Sequence, residues 1–165
     1  MRFPEAITGG CLCGSIRYSI SASTETPWPP QSSACQCTMC RKWTSSLIAQ
    51  FIIALPSQIE PAFNSYATFE EYESSPSRFR GFCKRCGTSL VWRSADDGST
   101  VDVFLGTVDE RWLVHEDGGK VGQVLARPNG TQFWMENAIP GVTDLVKGGK
   151  EFLREGEDGW QRKKE

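Results

Sequence analysis

Seven cysteines stand in three tight clusters: Cys11-Leu-Cys13, Cys35-Gln-Cys37-Thr-Met-Cys40 and Cys83-Lys-Arg-Cys86. Isolated buried thiols behave as small hydrophobes, but three clusters in one chain point to metal. Zinc takes four ligands at about 2.0 to 2.3 Å in a tetrahedron, and thiolates one or two residues apart can share one ion. A chain so constrained must fold distant segments onto common centres. Seven thiols are one short of two four-sulfur sites, and the missing ligand marks where function is expected.

Cys83-Lys-Arg-Cys86-Gly87 has the form of a zinc knuckle, with Gly87 free to adopt the positive φ that ends such a turn. Cys11 and Cys13 are two apart, so in an extended segment their side chains share a face. The two pairs together make one closed, structural four-cysteine site. Cys35, Cys37 and Cys40 sit within six residues and can bind one ion while leaving a fourth position for water or an incoming thiolate, the arrangement of catalytic zinc. The alternatives are a second structural zinc completed by His115, the only histidine, or an iron–sulfur cluster, which lacks a fourth cysteine. Arg41 and Lys42 follow the trio and can offset its negative charge. Arg41 is also the candidate anchor for a substrate carboxylate, the other reading being that it packs beside the knuckle.

The remaining composition narrows the class. A chain of 165 residues supports one core, expected here as a domain over residues 1–157 with a flexible charged tail at 158–165. The 16 glycines and 9 prolines suit a turn-rich fold of short strands. A net charge of −2 without a long basic run argues against nucleic acid as a partner. No stretch approaches the ~20 apolar residues of a membrane span, and the N-terminus has no signal-peptide core. The expected location is the reducing cytoplasm, where clustered thiols serve metals rather than disulfides.

Alternation of Ile16, Tyr18 and Ile20 with polar neighbours predicts a strand. A proline-bearing loop spans 21–33. Residues 46–54 read as a second strand, and 89–93 with 101–105 as a pair joined through Asp97-Gly98. Around Phe69 to Ser77 the chain turns polar, with Ser74 to Ser77 marking a loop. Trp112 to Val114 reads as a short helix or loop, Gly118-Gly119 breaks the chain before Val121, and Phe133 to Met135 is an apolar patch. The sum is a mainly β fold without a long amphipathic helix.

Taken in order, the motifs resemble a known family. Gly9-Gly-Cys-Leu-Cys-Gly-Ser-Ile-Arg-Tyr18, Cys35-Gln-Cys-Thr-Met-Cys-Arg41, Phe82-Cys-Lys-Arg-Cys-Gly-Thr88 and Leu105-Gly-Thr-Val-Asp109 resemble segments of the glutathione-dependent formaldehyde-activating enzyme family, which includes the centromere protein V domain. The resemblance implies a β-tent of short antiparallel strands built around zinc. It implies a structural ion on Cys11, Cys13, Cys83 and Cys86, and a catalytic one on Cys35, Cys37 and Cys40. It further implies a carbon–sulfur lyase that joins glutathione to formaldehyde. The family's second motif usually reads Cys-His-Cys; here Gln36 takes the central place, and an amide does not titrate near neutral pH.

The expected function is therefore a zinc-dependent carbon–sulfur lyase acting on a small thiol, with glutathione as co-substrate. Trp43, Phe82, Trp92 and Trp134 are candidate cavity walls, with the core as the stronger reading of each, since aromatics dominate the cores of small β domains. The competing expectations are a non-catalytic zinc-stabilised binding module and a different zinc-assisted reaction. A binding module for chromatin would carry a basic extension, and only the last few residues here are basic.

Overall fold

The computed structural model describes residues 2–155, so the expected tail lies outside the described residues. Eleven short strands form two sheets. The smaller joins β1 (Ala6–Gly10), β2 (Arg17–Ser21) and β5 (Ile59–Glu60). The larger draws on β3 (Ser32–Cys35), β4 (Ala49–Ala54), β6 (Phe69–Ser75), β7 (Arg78–Cys83), β8 (Ser89–Ser94), β9 (Val101–Phe104), β10 (Thr131–Phe133) and β11 (Lys150–Glu151). Its order is β11-β10-β3-β4-β9-β8-β7-β6, with only the β3–β10 and β10–β11 pairs parallel. Among the described residues the α-helices are two of seven residues each, α1 (Thr38–Thr44) and α2 (Lys120–Ala126), accompanied by several single helical turns. The mainly β expectation holds, and no helix is long and apolar enough to cross a membrane among the described residues.

Strand periodicity sorts the side chains onto two faces of the large sheet. One face carries Ile52, Ala54, Val101 and Val103 into a core shared with Ile7, Tyr18 and Ile20 of the small sheet and Val121 and Leu125 of α2. Ile7, Ile20 and Ile52 are wholly buried there, each such side chain adding about 1.5 to 3 kcal/mol. The opposite face presents Phe51 and Phe104, paired across β4 and β9, to a second cluster built around Cys35 and Cys37. The central strands thus separate an apolar core from a sulfur-bearing face.

The β8–β9 pair and the strands at 16–20 and 46–54 are present, with β4 starting at Ala49 because residues 45–48 form a turn. The polar stretch from Phe69 is a strand, not only a loop lead-in. As the edge strand β6, it is covered by β7 on one side only, and Glu70, Tyr72 and Glu73 remain exposed. A half-solvated edge needs no apolar alternation, which hides it from periodicity. Residues 111–115 form one wide helical turn.

Candidate metal centre

The outer clusters meet where the two sheets come together. Cys11 and Cys13 follow β1 of the small sheet, while Cys83 ends β7 of the large one and Cys86 lies in the turn beyond it. Their four sulfurs lie within 4.8 Å of one another. The Cys11–Cys13 and Cys13–Cys83 separations are 3.6 and 3.9 Å, bracketing the edge of about 3.8 Å that a tetrahedron with ~2.3 Å zinc–sulfur bonds requires. Two tight turns make this possible: Gly14 and Gly87 hold φ of +74° and +77°, values that glycine alone reaches at little cost. The Gly87 N–H closes its turn on the Cys83 carbonyl at 2.7 Å. The Ile16 N–H donates to Cys11 Sγ, and the Ser15 hydroxyl lies 3.1 to 3.6 Å from three of the sulfurs. Hydrogen bonding by Thr88 pulls the Cys86 thiol down to about 5, and Ser15 lowers that of Cys13. Burial in turn raises the Cys11 thiol, and the donor set and spacing fit a zinc ion with every position filled by protein.

The middle cluster is built differently. Cys35 ends β3 and is clamped between Ala49 of β4 and Phe133 of β10. Cys37 caps α1, its sulfur accepting from the Cys40 N–H at 3.3 Å in the place an N-cap oxygen would take. Cys40 follows in the first turn, and the three sulfurs again lie within 4.8 Å of one another. Hydrogen bonding to its neighbours pushes the Cys35 thiol up, while Cys37, accepting from Cys35 and Cys40, is drawn down to about 2. Three thiolates this close repel one another, so full ionisation requires a cation among them. Among the described residues these three soft sulfur donors have no fourth protein ligand beside them, which fits zinc in an open site.

These sulfurs border a cavity of about 470 Å³. Its floor is a row of side chains across adjacent strands, Asp102, Trp92 and Arg80, set side by side by the register of β9, β8 and β7. Phe51, Phe104, Phe133 and Trp134 supply apolar walls, and Arg78 and Glu155 stand at the rim. Trp134 holds φ of +61°, a left-handed backbone costing about 1 to 2 kcal/mol for a side-chain-bearing residue. A second cavity of about 640 Å³ touches Trp43, Gln50 and Leu113 but has no cysteine or charged side chain in its wall. The larger space therefore offers hydroxyls and an amide but no thiol or charged side chain.

Arg80 lines the cavity and was missed by the sequence reading. It is 3% exposed. Its Nε donates to Ser74 Oγ at 3.0 Å, and its terminal nitrogens face Cys40 Sγ at 3.8 and 3.9 Å. No carboxylate pairs with it among the described residues. A buried guanidinium needs an opposite charge, and the sulfur trio is the group in place to provide it. Alternation within Arg78-Phe-Arg-Gly-Phe-Cys83 hints at an inward arginine, but nothing local indicates what it would face.

The predicted site residues divide accordingly. The seven cysteines gather as the four and three anticipated, and all are free thiols. Arg41 braces the fold: its Nε donates to the Leu47 carbonyl and an Nη to the Asn137 carbonyl and to Gln36 Oε1. None of these partners is acidic, and Arg41 does not border the cavity. Trp92 and Trp134 line it, whereas Trp43 stacks on Tyr72 and meets Phe82 edge-on. His115 is exposed and belongs to neither sulfur group. Gln36, 1% exposed, turns away from the cavity. Its Oε1 accepts from the Thr143 hydroxyl at 2.6 Å, and its Nε2 donates to the Thr143 carbonyl at 3.3 Å.

An uncharacterized lyase of Schizosaccharomyces pombe is 35% identical over 84 residues, covering 51% of this chain and 55% of that protein. The chain thus matches about half the length of that relative. A crystal structure of a Rhodobacter sphaeroides protein aligns over 63% of this chain and 89% of its own, with a TM-score of 0.48 and 16% identity. Residues 6–121, which contain all seven cysteines, match the sequence model of the glutathione-dependent formaldehyde-activating enzyme family, and the chain belongs to that family.

Proposed function

We propose that the protein is a zinc-dependent carbon–sulfur lyase that makes and breaks the bond between a glutathione-type thiol and an electrophilic carbon such as that of formaldehyde. The observation that carries this reading is the trio of Cys35, Cys37 and Cys40, three clustered sulfurs bordering a cavity rather than a fourth ligand. Zinc bound by these three cysteines would favour the thiolate form of a substrate thiol. Family membership and the lyase name of the yeast relative support the reaction class.

The chain's own groups have defined tasks in this scheme. Cys11, Cys13, Cys83 and Cys86 would hold a structural zinc that fastens the two sheets. Arg80 offsets the negative charge gathered at the trio and strengthens it in a water-poor setting. Trp92, Phe133 and Trp134 limit water around the reacting sulfur. Arg78 is the rim cation presented to a substrate carboxylate, although it also bonds to Asp96 at 2.7 Å. Seven free thiols suit the reducing cytoplasm.

The test is exchange spectroscopy of glutathione and formaldehyde with zinc-loaded protein. Catalysed interconversion with S-hydroxymethylglutathione, lost in Cys35→Ser, supports the lyase. No acceleration by protein carrying both ions would refute it and favour a zinc-stabilised binding module.

A further inference from the structure

Making a carbon–sulfur bond to a carbonyl leaves an alkoxide that must take a proton, and breaking it requires that proton to leave. Gln36 neither titrates nor faces the cavity, and His115 belongs to neither sulfur group and does not line the cavity. Resting on the lyase reading, we propose that Asp102 is the general acid and base of this site, transferring a proton to and from the substrate oxygen within the cavity that the trio borders.

Asp102 sits on β9 between Val101 and Val103, which point into the apolar core, so its own side chain falls on the cavity face. It is half-buried, with no hydrogen bond or ion pair among the described residues. Its neighbours across the strands are Ile53 and Trp92, neither of which carries a charge or donates a hydrogen bond to its carboxyl. Arg80 lies one strand further, roughly 10 Å away along the sheet at ~4.8 Å per strand, with Trp92 between them. The other charged groups at the cavity are Arg78 on β7, bonded to Asp96, the exposed Glu155, and the sulfurs of β3 and α1. A carboxyl desolvated without a hydrogen bond or ion pair is destabilising; proton transfer gives the position a use. Burial raises its carboxyl to about 8 from an ordinary 3.8, the range in which a group donates and accepts near neutral pH.

The step balances without a further reagent. In addition, the thiolate sulfur gives an electron pair to the carbonyl carbon, forming C–S. The C=O π pair moves to oxygen, which takes the proton of the Asp102 carboxylic acid. The proton released when the next thiol ionises restores that acid. In cleavage the Asp102 carboxylate removes the hydroxyl proton, C=O re-forms, and the C–S pair remains on sulfur.

The experiment uses the zinc-loaded protein, with glutathione and formaldehyde as probes. Carbon-13 spectra of labelled aspartate, assigned by the signal missing in Asp102→Asn, should show one carboxyl ionising near neutral to mildly alkaline pH. Asp102→Asn should cost about 10²-fold in kcat, leave glutathione binding intact and remove the alkaline limb of the addition profile. Asp102→Glu should restore part of the rate. An Asp102 carboxyl that ionises in the ordinary acidic range, or an Asn variant with wild-type turnover and pH profile, overturns this role while leaving the lyase standing. A zinc-loaded wild type that fails to speed the reaction overturns both.

Discussion

Replacing Arg80 with methionine removes the buried cation while retaining much of its volume. The guanidinium nitrogens lie 3.8 and 3.9 Å from Cys40 Sγ. At that separation and an effective dielectric constant of 20, two full charges attract by about 4 kcal/mol. A zinc-loaded trio carries a net charge near −1 spread over four atoms, so about half that value is the working figure. About 2 kcal/mol corresponds to roughly a 30-fold loss of zinc affinity at the trio, with the four-sulfur site unchanged. Competition with a chromogenic chelator resolves the two ions, because the closed site should release last. Arg80→Lys keeps the charge without the planar fork and should fall between the two. Combining Arg80→Met with Cys40→Ser should give less than the sum of the single losses, since both remove the same attraction. Unchanged affinity at the trio in Arg80→Met, or strict additivity with Cys40→Ser, would show that the trio does not supply the counter-charge.

Three further outcomes follow from the same geometry. Cys83→Ser should abolish cooperative folding, because structural zinc contributes about 10 to 16 kcal/mol, as much as a domain's whole stability; Cys35→Ser should instead keep a sharp melt and lose one ion. Gln36→Leu strands the buried Thr143 hydroxyl and a donor of Arg41, so thermal denaturation should register a loss of about 2 to 4 kcal/mol, whereas Gln36→His should not raise turnover. Because Asp102 titrates higher in the fold than its ordinary 3.8, wild-type stability should decline between pH 4 and 8 as the unfolded chain ionises first. Asp102→Asn should flatten that slope and stabilise the protein at pH 7 by about 2 kcal/mol, allowing for water in the open cavity.

The cysteine division was readable because spacing alone brings paired thiols within reach of one ion, and Gly14 and Gly87 mark the turns that let them converge. The β8–β9 pair was readable because its faces differ. β6 was not, since Glu70, Tyr72 and Glu73 on an edge strand follow no apolar rhythm. Helix α1 escaped notice because it is seven residues long and is capped by a metal-binding candidate, Cys37, rather than by serine or aspartate. The deeper misses are long-range. Arg80 meets Cys40 across forty positions, and Asp102 occupies what strand alternation reads as a solvent face but the fold makes a cavity floor. Arg41 drew attention by proximity in sequence, yet helix α1 directs it toward the carbonyls of Leu47 and Asn137.

The central claim is that seven sulfurs serve two ions unequally, four closing one site and three leaving the other open to a thiol. X-ray absorption at the zinc edge, with metal content measured on the same sample, tests it most directly. The account predicts two ions per chain and an average of about 3.5 sulfurs per zinc, rising toward four when glutathione is added. A single ion bound by four sulfurs, or two ions whose sulfur count does not change with glutathione, would contradict it.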